Sequence, residues 1–301
     1  MIPSLTPGLA VGVLFLTGGV LLSCSRPPVV ERFAPGHVST PSIESEITFT
    51  PDGKAVYLAR REGTWEEGSS PSVILVSRRT GTGWTPFEAA PFSGTYDDSD
   101  PFVSPDGRSL YFVSVRPAPG KPVADPDLWR VDAGEGGWGA PVRLPEPVNS
   151  GGEEYSPVVT SSGNLYFAST RAGGHGQGDL YVARAGRDGL REPENLGPSI
   201  NTPTGEWNLL VSPDESLLLF EASGRETNLS GSGDLYASVR SGSGWSTPVN
   251  LRALNTTGSD LYPRLSPDGQ DLYFASNGHG DGAHTDIFRV PLPVVLEAAS
   301  R

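Results

Sequence analysis

Cysteine is almost absent from this 301-residue chain: Cys24 is the only one, beside a single methionine. No disulfide can form within one molecule, and no set of thiolates can hold a zinc or iron–sulfur centre. Lysine is nearly as scarce, with Lys54 and Lys121 against twenty arginines scattered along the chain. The 35 acidic and 22 basic residues give a formal net charge of −13. A chain of that sign without basic clusters is unsuited to a phosphate backbone, so nucleic acid is excluded as a partner. Beyond the N-terminal apolar run no stretch shows helical periodicity. There is no Gly-x-Ser-x-Gly elbow, no phosphate-binding glycine loop and no His-Glu-x-x-His pair. Gly134-Glu135-Gly136-Gly137-Trp138-Gly139 fits a dinucleotide fingerprint by letters, but it joins two strand-like segments instead of opening a helix.

What is abundant is turn chemistry, with 38 glycines and 29 prolines between short runs rich in aromatic and β-branched residues. Near the N-terminus, Leu9 to Leu22 is apolar apart from Gly and Thr. It is shorter than the roughly 20 residues a membrane span needs, and fits the core of a secretory signal. It ends in Leu21-Leu22-Ser23-Cys24, which resembles a bacterial lipobox. The resemblance implies a signal peptide over 1–23, acylation of Cys24, and a short tether over 24–32. The expected location is the bacterial cell envelope, with attachment to the membrane by the lipid anchor only. Ser25 follows the cysteine instead of the Asp that retains some lipoproteins at the inner membrane, which favours the outer membrane, facing the periplasm.

The remainder is repetitive. Thr50-Pro51-Asp52-Gly53, Ser104-Pro105-Asp106-Gly107, Ser212-Pro213-Asp214-Glu215 and Ser266-Pro267-Asp268-Gly269 are versions of one turn, and Thr160-Ser161-Ser162-Gly163 occupies the remaining place. Their third positions are 54, 56, 52 and 54 residues apart. Leu-Tyr-Phe follows three of the turns, at 110–112, 165–167 and 272–274. Asp127, Asp179, Asp234 and Asp286 each open a further strand-like run, with Ser72 in the equivalent place of the first repeat. Four strands per repeat, radially arranged, make an all-β propeller of five blades over residues 33–295, with a tail at 296–301. The last repeat lacks its fourth strand, and the segment around Phe33 carries the missing pattern. The N-terminal strand is therefore expected to complete the last blade and close the ring.

These motifs resemble the WD40-like (TolB-like) repeat family of bacterial envelope propellers over residues 28–295. Tol-type relatives have six blades, against five repeats counted here. The missing catalytic signatures favour a non-enzymatic lipoprotein, expected to be a monomer, that docks an envelope protein or a peptidoglycan-associated partner.

Eight residues before each turn site the repeats carry Glu44, Asp98, Glu154, Glu206 and Asp260. A loop entering the innermost strand lies at the mouth of the channel, where five carboxylates would form a negative funnel for a divalent cation or basic groups. A feature present in every blade also has an architectural reading, each acid serving a backbone N–H or an arginine. No other cofactor is expected. Loops opening on the same face contain Arg116, Arg171, His175, Arg225, His279 and His284 and form the candidate binding surface. A glycan-active or cation-dependent hydrolase or lyase at the acidic mouth is the alternative to the scaffold. The anchor has a direct check: Cys24→Ala should shift the protein from the membrane to the soluble fraction on cell fractionation. Unchanged membrane partitioning would remove the lipobox assignment.

Overall fold

A computed structural model describes residues 28–300 except 65–67, 119–120, 122–123, 230–232 and 281. The signal sequence and Cys24 lie outside the described residues. The chain forms a β-propeller of five blades. The innermost strands are Ile43–Phe49, Asp98–Val103, Glu154–Val159, Gly205–Val211 and Asp260–Leu265. Each pairs antiparallel with a second strand: Ala55–Arg61, Ser109–Ser114, Leu165–Ser169, Leu217–Ser223 and Asp271–Ser276. Third strands follow at Val73–Thr80, Asp127–Gly134, Asp179–Ala183, Asp234–Ser241 and Asp286–Pro291. Short outer strands at Glu88–Ala89, Val142–Arg143, Glu194–Asn195 and Val249–Asn250 complete the first four blades.

The fifth blade is completed by Glu31–Arg32, which pairs with the third strand through Glu31↔Arg289 and Arg32↔Phe288. The closing strand thus starts within the expected tether, two residues before the expected start of the propeller. Ion pairs Arg289–Glu31 at 2.8 Å and Arg32–Asp286 at 2.9 Å pin it. Behind it Phe33 packs on Tyr273, with ring centroids 4.9 Å apart, so the seam is sealed by apolar contact as well. The one helix among the described residues, Leu292–Ala299, runs from the end of the last blade into the expected tail. Its Leu292 and Val295 join the core that holds Leu251, Leu254 and Phe288. Eight residues give about two turns, too few for a periodicity to register in sequence.

The repeated turns have the geometry that their residues demand. Asp52, Asp106, Asp214 and Asp268 each accept a hydroxyl two residues back, at 2.6–2.7 Å, and an amide two residues on, at 3.0–3.1 Å. Gly53, Gly107, Gly163 and Gly269 supply positive φ at the next position. Between blades, Phe112, Phe167, Phe220 and Phe274 of the second strands are fully buried, each contributing roughly 1.5–3 kcal/mol of apolar burial.

The two turns that depart from the motif compensate each other. Ser162 has no carboxylate to offer, and Glu215 holds a left-handed backbone (φ 58°) in place of glycine. Glu215 reaches from its own turn to the neighbouring one and accepts Ser162 Oγ at 2.6 Å, Thr160 Oγ1 at 2.9 Å and Asn164 Nδ2 at 2.7 Å. Its other oxygen takes Tyr166 Oη at 2.7 Å and Arg240 Nη2 at 2.9 Å. Burial works to raise its pKa, but the hydrogen bonds from Ser162, Tyr166, Thr160 and Asn164 outweigh it and hold the group low. One carboxylate therefore serves two turns and ties the third blade to the fourth. Glu215→Gly should cost about 1–2 kcal/mol in urea unfolding, the lost charged hydrogen bonds exceeding the relieved backbone strain. Adding Ser162→Asp should restore at least half of that loss; simple additivity of the two changes would refute the exchange.

Candidate functional site

The five acids at the blade entries are all fully buried. Glu44 accepts Thr40 Oγ1 at 2.5 Å and Arg60 Nε at 3.0 Å; Asp98 accepts Ser93 Oγ at 2.8 Å and Arg116 Nη2 at 2.7 Å. Glu154 takes Ser150 Oγ at 2.5 Å, Ser169 Oγ at 2.8 Å and Arg171 Nη2 at 3.3 Å. Glu206 takes Thr202 Oγ1 at 2.6 Å and Arg225 Nη2 at 2.8 Å. Asp260 takes Thr256 Oγ1 at 2.9 Å and Ser276 Oγ at 2.6 Å, with His279 nearby. These carboxylates therefore form no open funnel. Each is consumed in a lock between the incoming loop and the first two strands of its own blade.

The expected binding surface is absorbed by the same locks. Arg116 lies over Phe112 and Trp129 at 4.9 and 5.3 Å, and donates to Phe92 O at 3.0 Å. Arg171 lies over Phe167 and Tyr181 and donates to Val148 O at 2.5 Å; Arg225 lies over Phe220 and Tyr236 and donates to Ile200 O. His279 sits between Phe274 and Phe288 and meets Leu254 O at 2.8 Å. His175 is exposed, and its backbone amide donates to Asp179 at 2.5 Å. His284 is half-buried, with a buried Nδ1 that has no partner. Among the described residues no group of three or more His, Cys, Asp or Glu is placed to hold a metal ion.

The group that faces the axis lies two residues further along each inner strand, about 7 Å deeper at 3.3 Å per residue. There the repeat breaks: the positions are Glu46, Asp100, Ser156, Asn208 and Tyr262. Every inner strand is bulged at this level. Four of the five residues, Asp100, Ser156, Asn208 and Tyr262, hold left-handed backbone at φ 45–55°. Such strain costs of order 1–3 kcal/mol per residue, and is unusual for a side chain as bulky as tyrosine. The side chains form a chain around the hub. Glu46 Oε2 meets the Asp100 amide at 3.4 Å. Asp100 accepts the Ser156 amide at 2.7 Å and its hydroxyl at 3.1 Å. Ser156 Oγ also lies 3.1 Å from Asn208 Oδ1, its single proton shared between that oxygen and Asp100, and Asn208 Nδ2 donates to Glu221 Oε2.

Two further departures feed the hub. Glu221 stands on a second strand where the other blades have Ala59, Val113, Ala168 and Ala275. Arg264 stands on an inner strand where the others have Thr48, Phe102, Val158 and Leu210. Burial pushes Glu221 up to about 7, with its hydrogen bond from Asn208 pulling the other way. Burial, then the charge of Asp100, holds Glu46 well above the glutamate range, opposed by Arg264. Tyr262 is likewise raised by burial and by the carboxyl groups of Glu46, Asp100 and Glu221. Above the hub, half-buried Tyr155 and Trp207 meet edge-on with centroids 5.9 Å apart. Gly178 makes that shelf feasible: a Cβ there would come within 2.3 Å of the Trp207 ring.

A pH dependence follows. Glu44, raised to about 7 by burial against Thr40 and Arg60, joins Glu221 at about 7 and the burial-raised Glu46, Glu154 and Asp260. The folded state binds more protons than the unfolded chain above the ordinary glutamate value of 4.5. Stability therefore falls as pH rises through that window toward about 7. Calorimetry should find Tm higher by about 5 °C at pH ~5 than at pH ~7.5, and Glu221→Gln should flatten that slope. A Tm that rises across this range would contradict the assignment.

No protein-family model matches the sequence, and no curated protein does. Solved structures do. The α-L-arabinofuranosidase from Lactobacillus brevis is similar at 10% identity and TM-score 0.51, over 83% of this chain and 90% of that one. The periplasmic gluconolactonase of Pseudomonas aeruginosa is similar at 17% identity and TM-score 0.47, over 83% of this chain and 75% of that one. A prolyl endopeptidase shares 13% identity at TM-score 0.44 over 83% of this chain, which spans about a third (33%) of that chain's length. The similarity to the arabinofuranosidase agrees with the fold seen in the structure itself, a five-bladed β-propeller.

Proposed function

We propose that this protein is a glycan-cleaving propeller of the bacterial envelope, working by general acid–base catalysis at its hub. The observation that carries the reading is the break of the repeat at the level of Glu46, Asp100, Ser156, Asn208 and Tyr262, inside a frame that is otherwise repeated in every blade. Frame residues satisfy one another, whereas this level concentrates backbone strain, buried carboxyl groups and the departures Glu221 and Arg264.

Two of the carboxyl groups have opposite environments. Glu221, with a pKa near 7, is suited to deliver a proton to a leaving oxygen at neutral pH. Asp100 accepts two hydrogen bonds from Ser156 and is suited to take a proton from an attacking water. Ser156 and Asn208 stand between the two and orient both. In the step, Glu221 protonates the glycosidic oxygen as the C–O bond breaks, and the water oxygen bonds to the sugar carbon as Asp100 takes the water's proton. Tyr155 and Trp207 offer ring faces and edges on which a sugar can pack.

Attachment through Cys24, an outer-membrane location facing the periplasm and kinship with the WD40-like (TolB-like) family belong to this proposal. A non-enzymatic scaffold is less well supported, because the arginines and His279 expected on a docking face are spent within the locks. The test is release of reducing ends from envelope and plant polysaccharides by the purified protein. Glu221→Gln and Asp100→Asn should each lower the rate about 10²–10⁴-fold with unchanged circular dichroism. Failure of the wild type on every glycan, together with a stoichiometric protein partner from envelope extracts, would return the scaffold.

A further inference from the structure

Arg264 is 2% exposed and is the largest fully buried side chain among the described residues. One side of its guanidinium is fastened: Nη1 donates to Leu209 O and to Pro263 O, both at 2.9 Å. The other side, Nε and Nη2, has no hydrogen-bond partner. Across the hub, Glu46 Oε1 is buried and also without a partner. Glu46 and Asp100 are close enough for their charges to act on Arg264. No carboxylate of the described residues nevertheless lies within ion-pair distance of the guanidinium. Buried opposite charges that are held short of contact leave room in the hydrogen-bond pattern for a third group.

The free edge specifies that group. Nε–H and Nη2–H are parallel donors in one plane, spaced for the two oxygens of a carboxylate. A dianionic phosphate would bring two negative charges among Glu46, Asp100 and Glu221, whereas a carboxylate brings only one. The unpartnered Glu46 Oε1 is a second open hydrogen-bonding position for the sugar.

We propose that Arg264 receives a carboxylate borne by the sugar, so that the hub accepts hexuronate units instead of neutral hexoses. This deepens the glycan-cleaving reading above and rests on it. At the equivalent place the other blades have no cation, only Thr48, Phe102, Val158 and Leu210, so the receptor is single and orients the sugar in one sense.

The experiment is isothermal titration of the full-length mature protein with glucuronate and galacturonate, against glucose and galactose. At least tenfold tighter binding of a uronate than of its neutral counterpart is expected. Arg264→Lys keeps the charge and loses the fork, and should remove most of that preference. If that variant fails to fold, the wild-type comparison still decides. Equal affinity for acidic and neutral sugars would overturn the uronate assignment and leave the glycan reading standing. Binding of neither class would also overturn it, and the polysaccharide-cleavage assay then shows separately whether the glycan reading falls as well.

Discussion

At the entrance of every blade a carboxylate is taken out of water and held there by a hydroxyl four or five residues earlier and, in four of the five blades, by an arginine. Removing an ion from water costs several kcal/mol, and removing one partner of such a buried pair costs about 3–5 kcal/mol. The arrangement persists because the cation does more than neutralise: Arg60, Arg116, Arg171 and Arg225 also donate to carbonyls of the incoming loop, and the last three lie over aromatic rings of the second and third strands. One guanidinium thus fastens loop, inner strand and outer layers of the blade. In the fifth blade His279 does this for Asp260, and the N-terminal strand adds covalent continuity across the closing seam.

A frame of that kind makes a strained centre affordable. The bulged inner strands place non-glycine residues in left-handed backbone around one axis, which no isolated hairpin would sustain. The locks lie about two residues above those bulges and hold the strand entries in place. Stability and chemistry are thereby divided between adjacent positions on the same strand. Residues such as Glu206 are spent on architecture, while Asn208, two places on, is free to differ from its counterparts.

Much of this division could be read in the linear chain, and particular residues show where reading stopped. The turn aspartates, the Leu-Tyr-Phe strands and the missing fourth strand sufficed for the propeller, its five blades and its closure by the N-terminal segment. Ser162 and Glu215 stood out as departures, but their mutual repair joins turns of neighbouring blades and depends on a side chain reaching across the gap. The helix Leu292–Ala299 escaped because two turns carry too little period. The acids recur in every blade because they belong to the frame; the more informative sign is variation two positions later, where five different side chains follow a constant acid.

The order of polar, apolar and turn-forming residues along the chain was enough to determine the modules, their number and the place where the ring closes, since these depend on local propensity and on repetition. Which acids are spent and which can act was decided only by the tertiary structure. Glu44 and Glu46 are both buried and two residues apart, yet one is paired with Arg60 and the other faces Asp100 and Arg264. Charge state and hydrogen-bond partners are set by burial among residues from distant blades, and that environment exists only once the ring has closed.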